Sequence, residues 1–150
     1  MSVVIDAYND YIVGICIDDE ENARMKATAW LNACLNAKAL PYETKMDNFA
    51  MKKLKSFYQK LSKHVRPSQV ANPRDKVIEP MFGRFTNEVV KRICIPNWSG
   101  NNITAKRESS HPNKELLYAV RKEFPNEDGV VQQILQCVQE WNTKARKSLN

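Results

Sequence analysis

Two short apolar runs rich in β-branched residues stand at the start of the chain, and a turn sequence separates them. The runs cover residues 2–7 and 11–17, with Tyr8-Asn9-Asp10 between them. This pattern is typical of a β-hairpin, because β-branched side chains favour strands while Asn and Asp favour turns. We therefore expect the fold to begin with two antiparallel strands.

Helical and extended patterns alternate after the hairpin. Asp18 and Asp19 offer an N-cap for a first helix over residues 21–38. Residues 42–46 read as extended, residues 49–64 as a second helix and residues 65–70 as extended again. The positions that recur at helical spacing, and that we expect to face the core, are Ala23, Ala27, Trp30, Leu31, Cys34 and Leu35 in the first helix and Leu54, Phe57, Tyr58 and Leu61 in the second.

A third helix begins near Ile78, and Pro80 should lie in its first turn or kink it. Its apolar face is formed by Ile78, Met81, Phe82, Phe85, Val89, Val90 and Ile93. Residues 96–113 read as a polar loop, residues 115–124 as weakly helical and residues 125–129 as a turn and cap. The last helix covers residues 130–146, with Val131, Ile134, Leu135, Val138 and Trp141 inward.

The net charge of +6 is concentrated in one stretch of the chain. Residues 51–92 contain eleven basic and three acidic side chains, a net of +8, whereas the other residues contain twelve basic and fourteen acidic ones. Such a block indicates a polyanionic partner, although lysine clusters are also often only a solvated surface. No apolar run approaches the roughly 20 residues of a membrane helix, and the N-terminus lacks a signal peptide, so no membrane partner is expected.

The cysteines favour a structural interpretation. Cys16, Cys34, Cys94 and Cys137 are widely spaced without a C-x-x-C pair, so we expect reduced core thiols. With two histidines in the chain, a Cys/His zinc site is not expected.

Two acidic residues stand where elements are predicted to change. Asp47 follows the extended residues 42–46, and Glu79 lies at the start of the third helix. An acid at a strand end and an acid at a helix start can converge on one metal site. The alternative is two ordinary surface acids, with Glu79 favoured at that position by the helix dipole.

Several segments, in this order, resemble the ribonuclease-H-like catalytic core of retroviral integrases and of bacterial transposases with an Asp-Asp-Glu triad. Residues 4–14 resemble the family's second and third strands with their turn. Asp47-Asn48 resembles the "DN" that carries the second catalytic aspartate, and residues 76–83 resemble the "KPIERxFG" glutamate motif of the branch of phage Mu and related insertion sequences. Residues 97–102 and 140–142 resemble that branch's "GYxGxN" and "xxWN" segments.

The resemblance implies an α/β fold, with a ribonuclease-H-like mixed sheet flanked by helices and followed by a helical C-terminal segment. Residues 1–95 would form the catalytic-core portion, and residues 96–150 would form a loop and helices packed on it. The implied activity is metal-dependent DNA strand cleavage and strand transfer in DNA transposition. The implied partners are double-stranded DNA, as element ends and target, and further copies of the chain. A bacterial or phage origin and a cytoplasmic location are also implied.

The resemblance also assigns roles to residues. Asp47 and Glu79 would be catalytic and would hold a two-ion Mg²⁺ (or Mn²⁺) site, in which one ion activates the attacking hydroxyl and the other stabilises the leaving oxygen. Trp98 and Trp141 are expected to pack rather than to stack on bases. The basic residues that would flank the two acids and contact DNA phosphates are Lys52, Lys53, Lys55, Lys60, Lys63, Arg66, Arg74, Lys76 and Arg84.

One catalytic aspartate of the family has no counterpart here. The family carries it on a central first strand, upstream of the position that aligns with Asp6, so Asp6 is expected to be a strand-end turn acid instead. The chain would start in the second strand, leaving the two-ion site incomplete and the chain alone inactive. Two alternatives stay open: a non-catalytic DNA-binding or assembly module, or transposase remnant, and a ribonuclease-H-like nuclease.

Overall fold

The computed structural model describes residues 1–46, 51–68, 78–93, 115, 118–119 and 121–147. The chain is a mixture of helices and short strands, and it divides into an N-terminal unit, Met1–Ile78, and a C-terminal unit, Glu79–Asn150. None of the helices in the described ranges is both long and apolar enough to cross a membrane.

The predicted hairpin is confirmed. Strand β1 (Ser2–Asp6) pairs antiparallel with β2 (Tyr11–Cys16). The Asp6 carboxylate accepts a hydrogen bond from the backbone N–H of Tyr8 at 3.0 Å, and the Asp6 carbonyl accepts one from Asp10 N–H at 2.9 Å. Asp10 adopts a left-handed conformation with φ 57°, which Asp tolerates better than most residues. Asp6 is therefore a turn acid, as expected.

Helix α1 (Ala23–Ala37) begins later than predicted, and its cap is a different residue. Asn22 is the N-cap, and its side-chain oxygen accepts a hydrogen bond from the Met25 N–H at 2.8 Å. The prediction that Asp18 or Asp19 would cap this helix was wrong. Asn and Asp make equally good caps, so the sequence alone did not identify which residue the chain uses.

Helix α1 packs on the hairpin through small residues rather than through leucines. Ala29 and Ala33 are buried in one cluster with Val4. A Cβ atom on Gly14 of β2 would overlap the Ala29 carbonyl oxygen and lie 2.7 Å from the Ala33 backbone nitrogen. Backbone therefore lies directly against backbone at this crossing, which only small side chains permit.

The predicted apolar face of α1 was wrong at its two leucines. Leu31 is 52% exposed and Leu35 is 73% exposed. Both recur at helical spacing, but the helix buries alanines on its hairpin side. Large apolar residues are usually expected to face the core, but only small residues fit where two backbones approach closely.

The following segment forms a parallel β-α-β unit. Strands β3 (Glu43–Met46) and β4 (His64–Pro67) pair in parallel, and helix α2 (Met51–Leu61) connects them. The Thr44 and Ser62 hydroxyl oxygens are buried 2.8 Å apart, so each satisfies the other. The predicted strand, helix and short extended segment are confirmed, although His64, predicted as the last residue of the helix, is the first residue of β4.

The apolar face of α2 is as predicted. Leu54, Tyr58 and Leu61 are buried in a second cluster with Met46, and the half-buried Phe57 packs against it. Trp30 of α1 packs against both this cluster and the hairpin cluster, and it meets Tyr58 edge-to-face with ring centroids 6.4 Å apart. Helix α1 thus lies between the hairpin and the β-α-β unit. The other α1 residues that pack against the second cluster are Ala23, Ala27 and Cys34.

The C-terminal unit is helical where it is described. Helix α3 (Ile78–Phe85), with Pro80 in its first turn as predicted, continues through a π-helical turn (Thr86–Val90) into α4 (Lys91–Ile93). A 3₁₀ turn (Arg121–Glu123) precedes the long helix α5 (Glu127–Lys147).

A cap residue starts α5 within the segment predicted to be a turn and cap. The Asn126 side chain accepts a hydrogen bond from the Gly129 N–H at 3.0 Å. This pattern is typical of an N-cap and confirms the predicted cap, but the helix begins at Glu127, so residues 127–129 form its first turn rather than the predicted turn before it.

Helices α3 and α5 pack through an aromatic pair. Phe85 and Trp141 meet edge-to-face with centroids 5.7 Å apart, and both are buried. Arg92 forms an ion pair with Glu140, and Lys144 Nζ donates to the Glu88 carbonyl at 3.3 Å. The expectation that Trp141 packs is confirmed.

The buried faces of the C-terminal unit differ from the expectation at Leu135 of α5. Met81 and Val89 are buried, as predicted for the third helix. Leu135, predicted to face inward, is 42% exposed, whereas Cys137 is buried, as expected of a core thiol.

The cysteines of the described ranges are free thiols. Cys137 is buried, and Cys16 and Cys34 are half-buried. Partial burial raises the pKa of the Cys34 thiol, because desolvation disfavours the thiolate. Cys94, Trp98 and the predicted loop 96–113 lie outside the described residues.

Candidate functional site

The two acids predicted to be metal ligands flank described elements. Strand β3 ends at Met46, immediately before Asp47, which itself lies outside the described residues. Glu79 is exposed in the first turn of α3, where a negative charge interacts favourably with the helix dipole. Both positions relative to the elements agree with the sequence interpretation, and the convergence of the two carboxylates stays a prediction.

A metal centre needs several ligands within a few ångströms of one point. Across the described ranges, no three His, Cys, Asp or Glu side chains cluster in a way that would hold a metal ion. Asp47 is outside those ranges, so the predicted two-ion site is not tested by this finding.

The outer side of α2 is basic. Lys52, Lys53, Lys55 and Lys60 are all exposed, opposite the face that carries Leu54. Lys53 and Lys60 share one flank because seven residues are about two helical turns. Residues 51–67 contain six Lys or Arg and no Asp or Glu, so this helix and the strand after it present positive charge to solvent.

An exposed aromatic residue lies beside the end of this basic helix. Tyr42 precedes β3 and is 67% exposed, and its ring centroid lies 4.9 Å from that of His64. The Tyr42 hydroxyl and His64 Nε2 are 3.1 Å apart, within hydrogen-bond distance. Lys63 Nζ lies 5.6 Å from the Tyr42 ring centroid, in cation–π range. We call Tyr42, Lys63 and His64 the aromatic-cationic cluster.

Strand pairing holds this cluster together. The His64 N–H donates to the Tyr42 carbonyl at 3.1 Å, one residue before the Glu43–His64 register pair. Arg66 pairs with Glu43 at 3.2 Å, and both side chains are exposed to solvent. Backbone hydrogen bonds between two strands thus position the cluster.

The other predicted DNA contacts have different environments. Arg74 and Lys76 lie outside the described residues. Arg84, in the C-terminal unit, is exposed, and its guanidinium lies 5.9 Å from the Trp141 ring centroid. This stacking gives Arg84 a packing role on α5, whatever else it contacts.

Tyr42 and His64 are the residues that sequence reasoning missed. They are separated by 22 residues, and neither belongs to a motif or a periodic face. The available signal was the β-α-β pattern itself, since parallel pairing of two strands around a helix brings the residues at their starts together.

Comparisons with known proteins add no relative: no family model matches the chain, and no curated protein or solved structure matches it either.

Proposed function

We propose that this chain is a portion of the catalytic core of a DNA transposase or integrase. The proposed chemistry is metal-dependent DNA strand cleavage and strand transfer, with Asp47 and Glu79 as ligands of a Mg²⁺ pair. The observation that carries the proposal is the pairing of the strands.

The N-terminal unit contains an antiparallel pair that packs on α1 and a parallel pair that packs on α2, and side chains of α1 pack against the cluster beneath the parallel pair. Within the described ranges β1 pairs with β2 and β3 with β4, each in a separate two-stranded sheet. Val4 of β1 and Met46 of β3 belong to clusters that share Trp30. Isolated two-stranded sheets are marginal, so each pair depends on the helix packed against it, α1 for the hairpin and α2 for the parallel pair.

A ribonuclease-H-like core has a central strand, and it carries the family's first catalytic aspartate. Without such a strand, a core of this kind would keep one antiparallel and one parallel pair, and the strand pairing of this chain is compatible with that. The parallel pair also supports the acid assignments, because Asp47 directly follows β3 and would lie at the carboxyl end of a parallel strand.

Iron-directed backbone cleavage tests the metal site. Fe²⁺ with ascorbate and peroxide replaces Mg²⁺ and generates radicals that cut the chain near the bound ion. With duplex DNA present to supply phosphate ligands, we expect cuts near residues 47 and 79 that excess Mg²⁺ suppresses. Two carboxylates leave most waters on Mg²⁺, so without DNA the cuts should be weak.

The matched control uses a second acid in a helical first turn. Glu79→Gln should remove the cuts near residue 47, whereas Glu127→Gln, at the start of α5, should leave them unchanged. Cuts near Asp47 that survive Glu79→Gln would show that the two acids do not share a metal. The chain alone should show no strand transfer, because the proposal assigns only two carboxylates, Asp47 and Glu79, to the ion pair.

A second candidate is a DNA-binding or assembly module without catalysis. The basic side of α2 favours it, because phosphate contacts by lysines need no metal. Salt-dependent binding to duplex DNA together with no iron-directed cuts would select this candidate over the first.

A further inference from the structure

We propose that the aromatic-cationic cluster of Tyr42, Lys63 and His64 is a stacking site for an unpaired base of a nucleic-acid strand. The inference rests on the proposed function, from which it takes DNA as the partner. It adds that this surface binds an unpaired strand. The sequence alone assigned no role to Tyr42 or His64.

The exposure of the Tyr42 ring is the first support. Two thirds of Tyr42 is exposed to solvent, although its carbonyl accepts the His64 N–H where β3 and β4 begin to pair. The hydroxyl contact to His64 Nε2 limits rotation of the ring. A ring held open to solvent in one orientation loses little conformational freedom when a base stacks on it.

The charges around the ring favour nucleic acid over a protein partner. Lys63 lies against the ring, Lys60 is exposed one turn earlier at the end of α2, and no acid occurs in residues 51–67. The nearby acid, Glu43, is paired with Arg66. Proteins bind single strands with exposed aromatic rings that have cations close to them, the base stacking on the ring and the phosphates contacting the cations.

The geometry favours an unpaired base over a duplex. In a duplex each base face is covered by its neighbours, so the exposed ring has no free base face to contact except at an end. The lysines of α2 would contact the phosphates of a single strand and of a duplex alike. Loss of the Tyr42 ring should therefore weaken binding to single strands while binding to duplex stays unchanged.

The test compares ring variants of the full chain by fluorescence anisotropy with a labelled oligothymidine and a duplex of equal length. Tyr42→Ala should weaken oligothymidine binding by at least about fivefold, the lower end of stacking on one base, and should leave duplex binding unchanged. Tyr42→Phe keeps the ring and should bind within about twofold of the parent, a difference well below the effect of losing a stacked base.

Tyr8 supplies the matched control. It is 85% exposed in the hairpin turn of the same unit, so Tyr8→Ala removes an equally accessible ring away from α2. We expect no change in oligothymidine affinity. Tyr42→Trp adds a direct readout, because its emission should be quenched by oligothymidine beyond any change seen in the parent chain.

The outcomes separate this inference from the proposed function. If duplex binding depends on the α2 lysines but Tyr42→Ala binds oligothymidine like the parent, the stacking site is wrong and the DNA-binding proposal stands. If Tyr42→Ala is defective while reversal of the α2 lysines changes nothing, the cluster binds single strands and the duplex contacts are wrong. Equal losses for Tyr8→Ala and Tyr42→Ala, or no binding to either DNA, would overturn the stacking site.

Discussion

Helices α1 and α2 belong to the same unit and share one apolar cluster, yet they bury different kinds of surface. Helix α2 lies on the outside of its β-α-β unit and buries one face with Leu54 and Tyr58. Helix α1 lies between two layers and buries alanines against the hairpin. The buried face of a helix can be read from the spacing of its apolar residues when the helix packs on one layer. When the helix packs between two layers, that spacing does not identify the buried residues.

The first prediction compares the same truncation on the two helices. Leu54→Ala should lower the free energy of unfolding by about 2–5 kcal/mol, because it leaves a cavity in the cluster around Tyr58. Leu35→Ala should change it by no more than about 0.5 kcal/mol, because that side chain is already largely in water. Urea titrations followed by circular dichroism measure both, and similar losses would contradict the assigned faces.

The second prediction addresses the close approach of α1 to the hairpin. Gly14→Ala should cost about 1–3 kcal/mol, since the new methyl group meets backbone atoms of Ala29 and Ala33 that cannot turn away. Gly83→Ala is the control, because a Cβ there meets nothing within 4 Å and the residue is helical. It should stabilise by about 0.5–1 kcal/mol. The sign of the change in unfolding free energy therefore differs for one and the same substitution.

The third prediction concerns the exposed sides of the two helices. Changing Lys52, Lys53 and Lys55 to Glu should weaken duplex DNA binding and flatten its salt dependence, with a slope change of about 0.9 for each phosphate that the protein no longer neutralises. Lys53→Glu alone has a matched control in Arg24→Glu, an equal charge reversal on the exposed side of α1. An unchanged slope in the triple variant would mean that the α2 lysines are only a solvated surface.

The smallest expected effect is a pH dependence of the free energy of unfolding. It arises from Cys34 of α1, which packs against the cluster shared with α2. The pKa of the Cys34 thiol is raised in the fold by partial burial, so the unfolded chain loses this proton first as pH rises. The folded state then binds more protons than the unfolded one, and the free energy of unfolding should fall above about pH 8.5. Urea midpoints of the parent chain and of Cys34→Ala, compared across this pH range, should converge as pH increases.

The sequence by itself determined the local elements of this protein. The hairpin, the β-α-β order, the buried face of α2 and the exposed lysines all follow from periodicities within one element, because one side of each faces water. Glu79 in a helical first turn and Asp47 after a strand were located in the same way.

Only the tertiary structure decided the contacts made between elements. The burial of Ala29 depends on Gly14, a residue in another element, and the pairing of Tyr42 with His64 depends on the parallel register. Phe85 packs on Trp141, so α3 associates with α5 in the C-terminal unit, a partnership that the periodicity of neither helix indicates. The periodicity of a sequence indicates which side of an element is apolar. The packing partner of that side depends on how closely two backbones can approach, and the side chains of both elements set that distance.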